Sequence, residues 1–336
     1  MHLDRIDSEL IERFGDSLGQ LWPEQGDKRP LGLAVSGGPD SLALLLLCAS
    51  AIPGRFAVMS IDHGLRPEAA EEVALVERVC STLAVPFTSS TVEVARGNLQ
   101  AKAREARYAA LAQWAGMEGL SAVATAHHAD DQAETLLMRL ARGSGLSGLA
   151  GVRNFGSLPG SEVELLRPLL GFRKAELEAV VADCGLSPAR DPSNADNAFD
   201  RVRVREHLAQ HDWLDPIALA SSAGHLAESL RALEWYAQMD FEEMVERETT
   251  PEGGPAFRYT CNVPRAIQVE TVMRIVSELG GLVSRSEAAR AADRLWRGEN
   301  ASLGGVLGVA GTGQLEGTPL TVRIWHFSPE PPRNAH

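Results

Sequence analysis

An alternation of short, largely apolar runs with helical stretches constrains this chain more than anything else in it. Leu31–Val35, Phe56–Ile61, Phe87–Val94 and Ser121–Ala126 read as strands. Asp40–Ala49, Pro67–Leu83, Gln100–Ala115 and Ala129–Ala141 read as the helices that follow them. Apolar strands separated by helices predict a parallel sheet covered on both faces, because each crossover lays a helix on the sheet. The expected fold class is α/β, a doubly wound parallel sheet. Leu3–Leu18 reads as an amphipathic helix ahead of it; Leu165–Leu170 and Arg173–Cys184 read as a further strand and helix.

The alternation stops near Asp212–Pro216. Ile217–Arg247, Arg265–Leu279 and Ser284–Trp296 read as helices, and Leu303–Leu315, alternating with glycines, as a small hairpin. At about 150 residues per domain, 336 residues allow roughly two domains. The expected division is a sheet domain over 1–212, a smaller and mostly helical domain over 213–327, and a disordered tail over 328–336.

The loop between the first strand and its helix is Ser36-Gly37-Gly38-Pro39-Asp40-Ser41. Two glycines let backbone approach an anion, two hydroxyls can donate to phosphate oxygens, and the helix N-terminus points its N–H groups into the same space. There is no G-K-[ST] and no lysine, so this is not a Walker A loop, and the dinucleotide fingerprint is absent too. Asp40 puts a carboxylate beside the anion, which makes sense if Mg²⁺ bridges it to pyrophosphate. A plain capped turn is the competing reading, but it needs fewer of these groups.

Four other segments carry polar groups at strand ends, where open parallel sheets bind ligands. Ile61-Asp62-His63-Gly64-Leu65-Arg66 ends the second strand, and Arg66 could reach a phosphate; an ordinary loop fits equally. Arg104, Arg107 and Tyr108 share a helix face, either a phosphate-facing stripe or a solvated one. Thr125–Thr135 holds His127, His128, Asp130, Asp131 and Glu134 where a strand gives way to a helix. Its acids could hold Mg²⁺ or a substrate ammonium, or favour the helix dipole. It matches no zincin motif. Arg190–Asn194 and then Arg201, Arg203 and Arg205 read as an extended stretch with arginines to one side, either facing phosphates or pairing with Asp196, Asp200 and Glu206. The glycine-rich segment 143–151 reads as a mobile or ligand-adapting loop.

Charge and cysteine usage narrow the function. The net charge is −13, which argues against loose polyanion binding. From Arg96 to Arg205, however, fourteen Lys/Arg meet thirteen Asp/Glu, so that region is near neutral; Glu228–Glu252 has eight acids and two bases. Cys48, Cys80, Cys184 and Cys261 are scattered singly, which argues against a disulfide partner, a zinc ribbon or a cysteine-bound cluster. No apolar run is long enough for a membrane, and the N-terminus does not read as a secretory signal. The expected compartment is the cytoplasm.

The Ser36–Ser41 loop resembles the SGGxDS signature of PP-loop, or N-type, ATP pyrophosphatases. The five segments together, and the run AHHADDQAETLLMRLARGSGLSGL above all, resemble one family within it, the tRNA(Ile)-lysidine synthetases. The resemblance runs from about Gly32 to Arg205 and only faintly beyond. It implies the adenine-nucleotide alpha-hydrolase-like fold and a short form without the family's last domain. It implies a ligase acting on the wobble cytidine of CAU-anticodon tRNA(Ile): ATP adenylates the base's C2 oxygen, and the amine of L-lysine displaces AMP.

On that resemblance Ser36, Gly37, Gly38, Pro39, Asp40 and Ser41 cradle pyrophosphate, with Ser60, Ile61 and Arg66 completing the ATP site. Asp40 and Asp131 hold Mg²⁺, and Asp130, Asp131 and Glu134 bind lysine. His127 and a carboxylate orient lysine, and Arg203 or Arg205 stabilises charge on the α-phosphate. Arg104, Arg107, Arg142, Arg201, Arg290 and Arg294 contact tRNA. Two alternatives stay open: a tRNA thiolase on the same ATP domain, disfavoured by the isolated cysteines, and a non-catalytic nucleotide- or RNA-binding module, disfavoured by the acids. A homodimer is compatible with the sequence, which does not fix the oligomeric state.

Overall fold

The computed structural model describes residues 1–22, 29–62, 68–92, 99–188, 199–314 and 319–330. The chain forms two compact units, Met1–Ala227 and Glu228–His336. The division falls inside a long helix, later than the 212/213 boundary expected from the end of the alternation.

The first unit is built on a six-stranded sheet. Its strands are β1 (Leu31–Ala34), β2 (Phe56–Asp62), β3 (Phe87–Thr91), β4 (Ala122–Ala124), β5 (Phe155–Ser157) and β6 (Glu164–Leu166). Their spatial order is β3-β2-β1-β4-β6-β5. All pairings are parallel except β5 with β6. The helices are α1 (Ser8–Leu21), α2 (Pro39–Ala51), α3 (Glu68–Leu83), α4 (Leu99–Glu118), α5 (Ala129–Ala141), α6 (Leu146–Leu149), α7 (Lys174–Asp183) and α8 (Phe199–Gln210). Strand order reverses between β1 and β4, and that switch point puts a crevice at their carboxyl ends.

Alternation along β1 sets the two faces. Leu31 and Leu33 enter a core with α1, α2 and α7. Gly32 points the other way, where an added Cβ would lie 2.7 Å from Leu120 and 2.8 Å from the Trp114 ring of α4. Glycine there lets α4 settle on the sheet. Residues Ser41–Cys48 of α2 are all buried, as expected of a helix packed on several sides.

Two readings of this unit change. Arg201, Arg203 and Arg205 lie on helix α8, not in an extended stretch, so Arg201 and Arg205 share a face and Arg203 points elsewhere. The glycine-rich segment is an ordered turn carrying α6. Arg139 Nη1 donates to Gly148 O at 2.6 Å and to Gly151 O at 3.3 Å, and just after the segment Gln132 exchanges two hydrogen bonds with Val152, at 2.7 and 2.8 Å. Residues outside the segment thus supply partners for its backbone.

Helix α9 (Pro216–Met244) crosses the division. The second unit adds α10 (Arg265–Glu278), α11 (Arg285–Trp296) and a five-stranded antiparallel sheet that the sequence showed only as a hairpin. Its strands are β7 (Val245–Thr249), β8 (Pro255–Cys261), β9 (Ala301–Leu303), β10 (Val306–Gln314) and β11 (Thr321–Pro329), in the order β7-β8-β11-β10-β9. Ser328 and Pro329, assigned to the tail, belong to β11, and 331–336 lie outside the described residues. Trp325, Phe327, Val272 and Leu295 fill its core. Buried Asp240 accepts from Tyr259 Oη and Thr271 Oγ1, both at 2.7 Å, tying α9, β8 and α10 together. Among the described residues no helix is long and apolar enough to cross a membrane.

Candidate active site

The loop Ser36–Ser41 leaves β1 and enters α2 at the switch point. Gly37 has φ +90°, a left-handed conformation, and a Cβ there would lie 3.1 Å from Glu72. Gly38 caps α2, and Pro39 starts it with a fixed φ and no N–H to satisfy. Ser41 Oγ accepts from the Ser36 N–H at 3.1 Å, donates to Gly38 O at 3.0 Å and lies 3.2 Å from Ser36 Oγ. The hydroxyls and the N-terminal N–H groups of α2 therefore converge, as an anion requires. Asp40, in the first turn, has a buried Oδ1 with no partner among the described residues.

Across the crevice, β4 hands over to α5 through His127 and His128. His128 caps α5 in extended conformation (φ −124°, ψ 177°). Its Nδ1 accepts from the Asp131 N–H, and its own N–H donates to Asp131 Oδ2, each at 3.3 Å. This reciprocal cap turns Nε2 toward two carboxylates, 3.6 Å from Asp40 Oδ2 and 3.5 Å from Asp131 Oδ2. Burial opposes the charged imidazole. The hydrogen bond to Asp40 and the charges of Asp131, Asp40 and Asp130 outweigh it, so His128 titrates above its ordinary value. Burial, aided by the negative charges of Glu134 and Asp40, raises the Asp131 carboxyl against the pull of His128.

These groups line a cleft of about 290 Å³. Its other acids are already paired. Asp130 accepts from the Lys174 N–H at 2.7 Å and from Arg173 Nε at 3.2 Å. Glu134, only 2% exposed, accepts from Arg205 Nε at 2.8 Å and has Arg201 Nε at 3.6 Å. Asp40 and Asp131 are thus the carboxylates left to serve a ligand. Two carboxylates, one with an unpartnered buried oxygen, fit a hard cation that takes its other ligands from phosphates and water.

His127 does not join this cleft. Adjacent residues on extended backbone point to opposite faces, and His127 points to the α4 side. There its Nδ1 lies 3.1 Å from Thr125 Oγ1. Lost solvation and the charges of Arg167, Arg107 and Arg104 push its titration down to about 3. Arg104 and Arg107 sit over the ring of buried Tyr108, at 4.8 and 5.3 Å. The shared α4 face expected from the sequence is therefore formed, with Tyr108 as its base.

Other expected residues are scattered. Ser60 is buried at the end of β2, with Ile61 beside it, where β2 runs on past its last pairing with β1 at Met59. Arg203 is exposed on α8 away from the cleft, and Arg142 is exposed at the end of α5. Arg290 and Arg294 are exposed on α11, where Arg294 faces Glu299 at 3.4 Å. Arg66 and Arg190–Asn194 lie outside the described residues. His128 is named in the sequence cluster without a role, and Arg173 and Arg167 are given none. For His128 a signal existed, since a strand's period of two separates it from His127.

Sheet order, loop and cleft define a nucleotide-binding protein of the PP-loop class, and residues 10–212 match the PP-loop domain family. Over 306 residues the chain is 47% identical to the tRNA(Ile)-lysidine synthase of Novosphingobium aromaticivorans, covering 89% of this chain and 88% of that protein. It is 37% identical over 310 residues to the enzyme of the same name from Zymomonas mobilis, covering 90% and 89%. The chain belongs to the tRNA(Ile)-lysidine synthase family. That makes it an ATP-binding, tRNA-modifying enzyme. A U34-tRNA thiolase from Methanococcus maripaludis superposes with a TM-score of 0.54 at 15% identity, covering 66% of this chain and 81% of that one, a likeness of fold alone. All four cysteines here are buried free thiols, a poor basis for sulfur transfer.

Proposed function

We propose that this enzyme joins L-lysine to C2 of the wobble cytidine of CAU-anticodon tRNA(Ile). The observation that carries the reading is the cleft itself, where Asp40 and Asp131 flank His128 within reach of an anion-binding loop. Carboxylates beside phosphates need a cation between them, a metal ion or a substrate ammonium.

In the first step the C2 oxygen attacks the α-phosphorus of ATP and pyrophosphate leaves. Ser36, Gly37, Gly38 and Ser41 cradle the departing pyrophosphate with hydroxyls and N–H groups. Asp40, with Asp131, would hold Mg²⁺, which neutralises phosphate charge when bound. Backbone groups of Ser60 and Ile61, on the stretch of β2 beyond β1, are offered to adenine. In the second step the lysine amine attacks C2 and AMP leaves with the oxygen. An ammonium cannot attack, so a proton must first be lost. The carboxylates that line the cleft are the acceptors within its reach. Asp130 and Glu134 contribute negative field while held by Arg173 and Arg205, and Arg205 in this pose serves Glu134, not a phosphate. Exposed Arg142, Arg201, Arg290 and Arg294 are offered to tRNA phosphates. Unmodified tRNA(Ile), ATP and labelled lysine test the reading: label must enter the tRNA with AMP and pyrophosphate as co-products. Main products of ADP and phosphate, or no label in the tRNA, refute it.

A further inference from the structure

On the opposite side of the β4 terminus from the acidic cleft lies a second polar cluster with the reverse charge. Arg104 and Arg107 approach it from α4, and Arg167 from the segment after β6. Arg167 is 8% exposed, and its Nη1 donates to Arg153 O at 2.6 Å. That contact fixes the guanidinium and leaves its Nε buried without a partner among the described residues. Arg107 Nε is likewise buried without a partner among the described residues, and the Tyr108 hydroxyl lies against Arg167. None of the three arginines forms an ion pair with an acid among the described residues, unlike Arg173, Arg201 and Arg205. Their charges register on His127, which is held neutral and so can donate a single N–H without adding charge.

Three positive groups collected under partly buried conditions repel one another, and each unmade buried donor is a further cost. Such an arrangement is stable against dispersal only if something else on the chain fixes it, as Arg153 O does for Arg167, and it becomes favourable when an anion arrives. A planar guanidinium fork with a neighbouring hydroxyl suits a tetrahedral oxyanion. The pyrophosphate end of ATP is already provided for on the far side of β4.

We propose that Arg107 and Arg167, with Tyr108 and His127, form a second phosphate site that receives a substrate phosphate other than the pyrophosphate. Arg104, exposed at its rim, guides the group in. The source is either a phosphodiester next to the wobble base or the α-phosphate of the nucleotide; the chemistry is the same. His127 in this arrangement is a hydrogen-bond donor and not a base. The inference rests on the proposed reaction for its substrates, but the cluster itself does not depend on that reading.

The test compares the unaltered enzyme with Arg167→Gln and Arg107→Gln. Dissociation constants are measured for an unmodified tRNA(Ile) transcript over a range of salt, and separately for ATP. If the phosphate is the RNA's, each variant weakens tRNA binding by about tenfold or more. Each then also flattens the slope of log K against log salt by about 0.7–0.9, one phosphate's share. If it is the nucleotide's, ATP binding falls instead and the salt slope stays. Either result supports the site and names its source. Unchanged constants for both ligands in folded variants overturn it. The unaltered protein gives a second reading if a variant fails to fold. The His127 imidazole resonances should move when a CAU anticodon stem-loop, or ATP, is added, and the absence of any shift with both overturns the site. Failure of lysine transfer by the unaltered enzyme would refute the proposed reaction and leave these binding results standing.

Discussion

The pair between Glu134 and Arg205 is lopsided, and that asymmetry is measurable. The Glu134 side chain is 3% exposed, whereas those of Arg205 and Arg201 are 49% and 47% exposed. Replacing Glu134 with Gln removes the buried charge and leaves two guanidiniums that water can solvate. The loss should be small, about 1 kcal/mol or less. Replacing Arg205 with Gln removes the 2.8 Å donor and leaves a buried carboxylate facing only Arg201 at 3.6 Å. Breaking a buried pair from that side costs about 3–5 kcal/mol when both charges are buried, and the exposed arginine brings it to about 2–3. For a unit of this size 1 kcal/mol moves Tm by about 2–4 °C, so Arg205→Gln should lower Tm by about 4–12 °C and Glu134→Gln by about 4 °C or less. Scanning calorimetry of the two variants measures this. Equal losses, or a larger loss for Glu134→Gln, would refute the reasoning.

Three further outcomes follow from the site. Asp40→Asn should cut pyrophosphate release by at least about a hundredfold while Tm falls by only about 2–4 °C, since Oδ1 has no partner among the described residues and Oδ2 meets only His128, at 3.6 Å; pyrophosphate-coupled assays and melting curves check both. The His127 imidazole, titrating near 3, should show no NMR titration between about pH 5 and 8, whereas His128 should titrate above its ordinary value. Because the His127 value is depressed, acid favours the unfolded chain from about pH 6.5 downward, and stability should fall there. Gly37→Ala, with φ +90° and Glu72 at 3.1 Å, should weaken ATP binding by about tenfold through roughly 1–2 kcal/mol of backbone strain, measurable by calorimetric titration.

The strands and helices from Leu31 to Ala141 were legible because their apolar runs differ sharply from their neighbours. So was the anion loop, whose glycines, hydroxyls and acid are contiguous. What failed depended on distant partners. Arg201-Val202-Arg203-Val204-Arg205 fits a strand's period as well as a helix's; its face is fixed by Glu134, 71 residues before Arg205. Gly308, Gly311 and Gly313 weaken the strand signal of β10, which is stabilised by nine pairings with β11 that no local pattern announces. β5 is three residues at a sheet edge, too short to carry a period. Arg167 looked like any arginine near a strand, and only burial beside α4 distinguishes it. His128 lines the cleft and His127 does not, a difference that strand alternation through Ala122–Ala124 already announces.

Glu134 already holds a guanidinium through two nitrogens, and on the proposed reaction this has a consequence for selectivity. One of the carboxylates offered to lysine is already occupied by a guanidinium of the same chain, which the fold holds in place. A free amino acid gains Glu134 only by exchange, releasing Arg205 to face outward with its charge available to an incoming polyanion. Arginine from solution would win no advantage there over the resident side chain it mimics. Discrimination between the two basic amino acids therefore falls to Asp131 and His128, which a compact ammonium can approach and a planar fork cannot match as well. Substrate choice and the readiness of α8 to receive RNA become two sides of one displacement.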